Sequence, residues 1–319
     1  MTQFIGIDVG GTNIAGVMAD GTGKIVSEGS IPTQAQEGPH RVIERIAEFA
    51  QTLAREAKST PQAIGMGVPG LVDAEQGTTK ILSLGVQWRD FPAGQLLSEQ
   101  AGCPVFLIND AQAATLGEWT FGRGRGVTNM VLFTLGTGVG AGLVIDGKLH
   151  TGHWGRAGHL GHQTVLRDGP ECSCGARGCL EAMAGGTAIT REGVRLAESG
   201  KAPKLYDLVG GDLARINPEE MVKAAESGDE SVREALINAA TYLGMSVGNI
   251  VYALTPELVV IGGGVANIGP LLFDTVRAWV NHKIEALLPP LRIRIEPSQL
   301  GNNTGSLGAA AMAMRGGNI

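Results

Sequence analysis

Two periods alternate along the chain: short apolar runs of strand length, and longer stretches whose apolar residues return every three or four positions. Residues 3–8, Gln-Phe-Ile-Gly-Ile-Asp, predict a buried strand, and 14–18 its hairpin partner. Between Arg41 and Ala57, residues Val42, Ile43, Ile46, Phe49, Ala50 and Leu53 recur at helical spacing and predict an amphipathic helix on a sheet. Strands are expected over 63–68 and 104–108, and a helix from Ala111 to about Phe121. A strand over 129–135, a glycine-rich turn and a strand over 143–146 repeat the layout of the N-terminus. Helices over 184–198, 218–227 and 231–254 follow, then a strand over 257–261, a helix over 270–287, a strand over 291–296 and a helix over 303–315. In 231–254, Ala239, Ala240, Gly244 and Gly248 allow close packing, and the small-residue helix 303–315 is expected to fold back on the first half. This order of elements predicts an α/β protein. The two strand–turn–strand hairpins, about 125 residues apart, predict a duplicated unit whose turns face one another across a cleft.

Composition narrows the class. At 319 residues with 43% hydrophobic and 18% charged positions, the chain is globular and long enough for two domains. The net charge of −6 and the lack of a dense basic run remove the electrostatic footprint of a nucleic-acid binder. No transmembrane-length apolar stretch and no basic-then-apolar leader are present, so no membrane partner is expected. Three of four cysteines cluster while Cys103 stands apart, which favours metal over disulfides and a reduced, cytoplasmic setting.

Chemistry gathers at the turns. Asp8-Val9-Gly10-Gly11-Thr12-Asn13 sets adjacent glycines where backbone N–H groups converge on an anion, with Asp8 placed to hold hydrated magnesium; an ordinary Gly-Gly hairpin gives the same pattern. Gly136-Thr137-Gly138 repeats it. Gly136-x-Gly138-x-x-Ala141 mimics a dinucleotide fingerprint, but a strand follows where a helix is required. Gly142-x4-Gly147-Lys148 mimics a phosphate-binding loop, but Leu149 occupies the hydroxyl position. Gly262-Gly263-Gly264, after a buried strand, lets a flat adenine ring lie on the backbone, or serves as a plain strand-to-helix turn. Asn109-Asp110 closes the strand 104–108, where ligand crevices of open α/β sheets lie; Asp110 is read as a general base or as a helix cap. Together these features point to phosphoryl transfer, which demands positioning and charge neutralisation.

The densest motif runs from Gly158 to Glu181. His162, Cys172, Cys174 and Cys179 follow a His-x9-Cys-x-Cys-x4-Cys spacing that suits a closed tetrahedral zinc site, bracketed by His159 and Glu181.

The sequence resembles the ROK family of sugar kinases, within the actin/hexokinase superfamily and nearest its glucokinases. The resemblance spans essentially the whole chain. It is carried by Asp8-x-Gly-Gly-Thr12, Gly67-x-Pro-Gly-x-Val-Asp73, Asn109-Asp110, Leu135-Gly-Thr-Gly-x-Gly140, Gly161-His162, the Cys-x-Cys-Gly-x-x-Gly-Cys-x-Glu block and Gly262-Gly-Gly264. It implies a two-domain actin-like ATPase (ribonuclease H-like) fold, with sugar and ATP in a cleft between a smaller domain, 1–117 plus 302–319, and a larger one, 118–301. It further implies an ATP-dependent hexose 6-kinase acting with magnesium, in which Asp110 is the base, Gly70, Asn109, His159, His162 and Glu181 meet the sugar, and structural zinc fixes His162. A homodimer is also implied. Family repressors carry a DNA-binding module ahead of the first phosphate loop; here the first strand begins at residue 3, so that module is expected to be absent and an enzyme, not a sugar-sensing regulator, is the expectation. One position departs: His159 stands where the family usually has glutamate. A neutral imidazole has one acceptor and one donor. The change either leaves glucose recognition intact or admits mannose or an N-acylhexosamine, with pH-dependent affinity.

Overall fold

The computed structural model describes residues 2–82, 88–285 and 291–318. In chain order the strands are β1 (Gln3–Val9), β2 (Asn13–Asp20), β3 (Ile25–Pro32), β4 (Ile64–Val68), β5 (Gly70–Asp73), β6 (Thr78–Leu82), β7 (Val105–Asn109), β8 (Met130–Leu135), β9 (Val139–Ile145), β10 (Lys148–Leu149), β11 (Leu258–Gly262) and β12 (Arg294–Pro297). The helices are α1 (Pro39–Glu56), α2 (Ala93–Ala101), α3 (Asp110–Phe121), α4 (Leu180–Ala184), α5 (Gly186–Glu198), α6 (Pro203–Leu208), α7 (Pro218–Glu226), α8 (Glu230–Leu254), α9 (Pro270–Glu285) and α10 (Thr304–Met314). Residues 286 and 287 of the expected helix 270–287 lie outside the described residues.

Two five-stranded sheets run β3-β2-β1-β4-β7 and β10-β9-β8-β11-β12. Each begins with a three-strand meander and continues into two later strands, so the duplication expected from the hairpins is present in the strand order. In the first sheet β1–β2 and β2–β3 are antiparallel, whereas β1–β4 and β4–β7 are parallel. Backbone contacts divide the chain into one unit of 1–132, 142–158 and 298–319, and a second of 133–141 and 159–297.

In the first unit, alternate residues of β1 and β4 serve opposite faces. Ile5, Ile7, Ile64 and Met66 belong to a fully buried cluster with Val42, Ile43, Ile46 and Leu53 of α1. Gly6 and Gly65 point the other way, where α10 lies so close that a Cβ would stand 1.8 Å from Ser306 O and 1.8 Å from Ala309 O. Gly308 of α10 similarly faces Ala113 O of α3, at 1.7 Å from a built Cβ. The small-residue run of α10 therefore exists because the helix rides directly on sheet and helix backbone. Glu118, fully buried on α3, accepts from Ser298 Oγ and from the Gln299 and Leu300 N–H groups at 2.6, 2.7 and 2.8 Å, which anchors the segment leading into α10.

In the second unit, α8 packs against α9 with Trp279 over the gaps left by Gly244 and Gly248. The helix expected over 184–198 is α5, which begins two residues later, at Gly186, because Gly185 is extended (φ −69°, ψ 155°); the short α4 before it was not expected. β12 begins three residues later than expected, at Arg294.

Candidate active site

In the first unit the C-terminal ends of β1 and β7 bring Asp8 and Asp110 near enough for Asp110 to perturb Asp8. Burial first, and the Asp110 charge second, push the Asp8 carboxyl up to about 7. Burial also raises Asp110 above the usual carboxylate range, opposed by hydrogen bonds from Ala111 N–H and Asn109. Two acids held in this way at one strand edge are poised to take up a cation or a proton.

The cap of α3 is Asn109, not Asp110. Asn109 Oδ1 accepts from Ala111 N–H at 3.0 Å and Gln112 N–H at 3.1 Å. Its Nδ2 donates to Gly70 O at 3.0 Å and to Asp110 Oδ1 at 2.8 Å. Ala111 N–H also donates to Asp110 Oδ1, at 2.8 Å. Asp110, one position further on, is thereby free of the capping role and engages Asn109 and Ala111 through Oδ1.

The first glycine turn is held from behind. Gly10 N–H donates to Asn13 O at 2.9 Å, and fully buried Thr33 ties the turn by Oγ1 to Gly10 O at 2.7 Å and by its N–H to Thr12 O at 2.8 Å. Gly11 is exposed with open space where a Cβ would be, so its backbone is available to a ligand. Gly305, at the start of α10, meets the Asp8 carboxylate: a Cβ there would lie 2.2 Å from Oδ2. Neither Thr33 nor Gly305 carries a local signal, since both act across long sequence separations.

In the second unit the other glycine turn opens on a cavity of about 630 Å³ lined by Gly136, Thr137, Gly186, Thr187, Thr190, Asn217, Pro218, Glu219, Gly264 and Val265. That volume is ample for a nucleotide-sized ligand. Of the glycine triplet only Gly264 lines it. Gly262 ends β11, and Gly263 (φ +87°) is needed because a Cβ would stand 2.4 Å from Leu135 O. The α5 and α7 contributions went unread in the sequence; Asn217-Pro218-Glu219 is legible as a helix start, with Asn217 Oδ1 accepting from Glu220 N–H at 3.1 Å, but not as a cavity wall.

The Gly158–Glu181 block folds around its four donors. His162 Nδ1 and the sulfurs of Cys172, Cys174 and Cys179 all lie within 4.8 Å of one another, with Cys172 Sγ to His162 Nδ1 at 3.5 Å and Cys174 Sγ to Cys179 Sγ at 3.8 Å. The His159 ring lies 6.3 Å from that of His162, the planes 27° apart, and partial burial together with His162 lowers its pKa. Glu181, in the first turn of α4, accepts from Ser173 Oγ at 2.7 Å through Oε1 and from Val139 N–H at 3.1 Å through Oε2. Among the described residues no helix is long and apolar enough to cross a membrane.

A duplicated sheet of this strand order, with two glycine turns and acids at strand ends, defines the actin-like class of sugar kinases. The chain belongs to the ROK family, whose family model matches residues 4–315. It is 36% identical over 317 residues to a glucokinase of Halalkalibacterium halodurans, covering 96% of this chain and 93% of that protein. The structure of a ROK glucokinase from Streptomyces griseus in complex with glucose and AMPPNP superposes with a TM-score of 0.85 at 30% identity, over 98% of this chain and 99% of that one. A ROK hexokinase from Thermus thermophilus gives 0.83 at 33% identity, over 99% of both chains.

Proposed function

We propose that the protein is an ATP-dependent glucokinase that transfers the γ-phosphoryl group of ATP to the 6-hydroxyl of glucose. The observation that carries this reading is Asp110: a half-buried carboxylate just past a strand end, with one oxygen fixed by two donors. In the reaction Asp110 Oδ2 takes the hydroxyl proton as the sugar oxygen bonds to phosphorus; the bond to the bridging oxygen breaks and ADP departs with its electron pair. Gly10, Gly11, Thr12 and Asn13 on one turn, and Gly136, Thr137 and Gly138 on the other, offer N–H and hydroxyl donors for the phosphates. Gly264 and the walls contributed by α5 and α7 hold the base and ribose. Asp8 is the residue to hold magnesium, which neutralises phosphate charge when bound.

Glucose is chosen over mannose or an N-acylhexosamine because two of the relatives named above are glucokinases, one of them solved in complex with glucose. Gly70, Asn109, His159, His162 and Glu181 form the sugar-binding set in this reading, Asn109 chiefly by holding Asp110. The cluster suits zinc: Zn–S bonds of ~2.3 Å and a Zn–N bond of ~2.05 Å would give tetrahedral edges of about 3.8 and 3.6 Å, and two of the donor separations are 3.8 and 3.5 Å, with all of them within 4.8 Å. Nδ1 of His162 faces the sulfurs, which leaves Nε2 for the sugar. The four protein donors would fill a tetrahedral coordination sphere, so zinc held there would supply rigidity and not chemistry.

The test is a coupled assay for ADP release over a panel of hexoses and N-acetylhexosamines. Glucose-dependent release at the highest kcat/KM of the panel is expected; no hexose-dependent release would sink the proposal.

A further inference from the structure

Nothing in the motifs singles out Ser173, which sits between two metal-binding cysteines. Its hydroxyl donates to Glu181 Oε1 at 2.7 Å, and the other carboxylate oxygen accepts from Val139 N–H at 3.1 Å. Val139 directly follows the glycine turn 136–138. The carboxylate lies flat on that turn, since a Cβ on Gly138 would stand 2.3 Å from Glu181 Oε2. The same turn is tied further along: Gly186 N–H donates to Gly136 O at 2.8 Å, and Thr187 N–H to Thr137 O at 3.1 Å. Segment 181–187 and turn 136–139 are thus laced together by three hydrogen bonds, one of them made by the Glu181 side chain.

We infer that Ser173 is a positioning residue for Glu181, and that the Ser173–Glu181–Val139 bridge transmits sugar binding to the nucleotide turn. This rests on the reading of Glu181 as a sugar ligand. A carboxylate has about four acceptor sites, so sugar hydroxyls join the bridge without displacing Ser173 or Val139. A sugar that orders Glu181 orders Val139 N–H and the turn with it, and the nucleotide then meets a loop already fixed. The coupling is reciprocal: the nucleotide tightens sugar binding by the same factor. Ser173 supplies the fixed end, since Cys172 and Cys174 on either side are held in the metal knot.

The experiment measures binding of a non-hydrolysable ATP analogue by calorimetry, with and without glucose, for wild type, Ser173→Ala and Ser173→Thr, with zinc content determined for each. In wild type, glucose is expected to tighten the analogue about five-fold or more. Ser173→Ala should bring that factor close to one and raise the glucose KM several-fold at nearly unchanged kcat and full zinc content, with Ser173→Thr restoring both. A Ser173→Ala protein with wild-type coupling and KM overturns the bridge and leaves the glucokinase reading standing. If wild type phosphorylates no hexose, the glucokinase reading falls. The bridge is then judged on the analogue alone: several-fold weaker binding by Ser173→Ala sustains it, and unchanged binding overturns it.

Discussion

Asn109 Nδ2 stands 2.8 Å from Asp110 Oδ1, and the same amide bonds Gly70 O while its oxygen caps α3. All four of its hydrogen-bonding positions are filled. One residue thereby starts the helix, grips the β5 backbone and fixes the rotamer of its neighbour. With Oδ1 occupied by Asn109 and Ala111, proton transfer falls to Oδ2. Asp110→Asn should lower kcat about 10³-fold, while glucose affinity measured by calorimetry stays within a few-fold. Activity above a few per cent of wild type would remove Asp110 as the base. Asn109→Ser keeps a capping oxygen but loses the amide donor; kcat should fall about ten-fold with little change in melting temperature.

The acid pair gives stability a pH dependence of defined sign. Asp8 is raised from 3.8 to about 7 in the folded chain. Its protonated form is favoured by folding, so this contribution is fully present below the unfolded value and is lost as pH rises through about 7. Asp8→Asn, which cannot ionise, should therefore melt higher than wild type at pH 8. The gap should reach ~2 kcal/mol, or about 5 °C, after allowance for partial solvent access, and shrink as pH falls toward 4. A pH-independent gap in thermal melts would show that Asp8 is not the titrating group.

Much of this was legible in order of elements, less in where they meet. The hairpins of β1–β2 and β8–β9 carry short apolar runs around glycine turns, and their repetition reports the duplicated sheet. β3 escaped notice because it is an edge strand with only Ser27 buried, so its polar positions mask the period. α4 is not legible because five residues ending at the extended Gly185 are too few to show a helical period. Asp110 draws notice in the sequence by its place after a strand, but its freedom from capping depends on the Asn109 rotamer and Gly70 O, which only coordinates supply. Thr190 and Glu219 reach the cavity beside the turn 136–138 from helices far along the chain, and no local pattern marks them.

Close helix packing predicts which glycines are indispensable. A Cβ on Gly308 would lie 1.7 Å from Ala113 O, with backbone on both sides and no flexible side chain to yield. Gly308→Ala should cost about 3 kcal/mol or more, read as a large loss in denaturant midpoint. Gly11→Ala meets nothing within 4 Å, so its melting temperature should stay near wild type while any defect appears in the KM for ATP. Equal destabilisation of both variants would contradict the seat of α10 on α3.

Metal removal separates rigidity from chemistry. Exhaustive chelation should strip close to one equivalent of zinc, lower the melting temperature, and raise the glucose KM more than the ATP KM, because His162 and Glu181 lose their fixed bearings while turn 10–13 does not depend on the knot. Added zinc should restore all three readouts. Protein that holds no zinc as isolated yet keeps full glucose affinity would exclude the metal from sugar positioning.

His159 is the position at which recognition is most open to change. Its imidazole lies beside His162, and partial burial together with that neighbour favours the neutral form, with one donor and one acceptor for sugar hydroxyls. A carboxylate in its place offers only acceptors and pairs with two hydroxyls at once. His159→Glu should then lower the glucose KM about three- to ten-fold, the worth of one added charge-assisted hydrogen bond at a partly solvated site. The kcat should stay within two-fold, since Asp110 and its anchors are untouched. The gain should be smaller for N-acetylglucosamine, whose bulky 2-acetamido group replaces the compact 2-hydroxyl. Running the hexose panel on both proteins checks this directly, and identical KM values across the panel would mean that residue 159 does not touch the sugar.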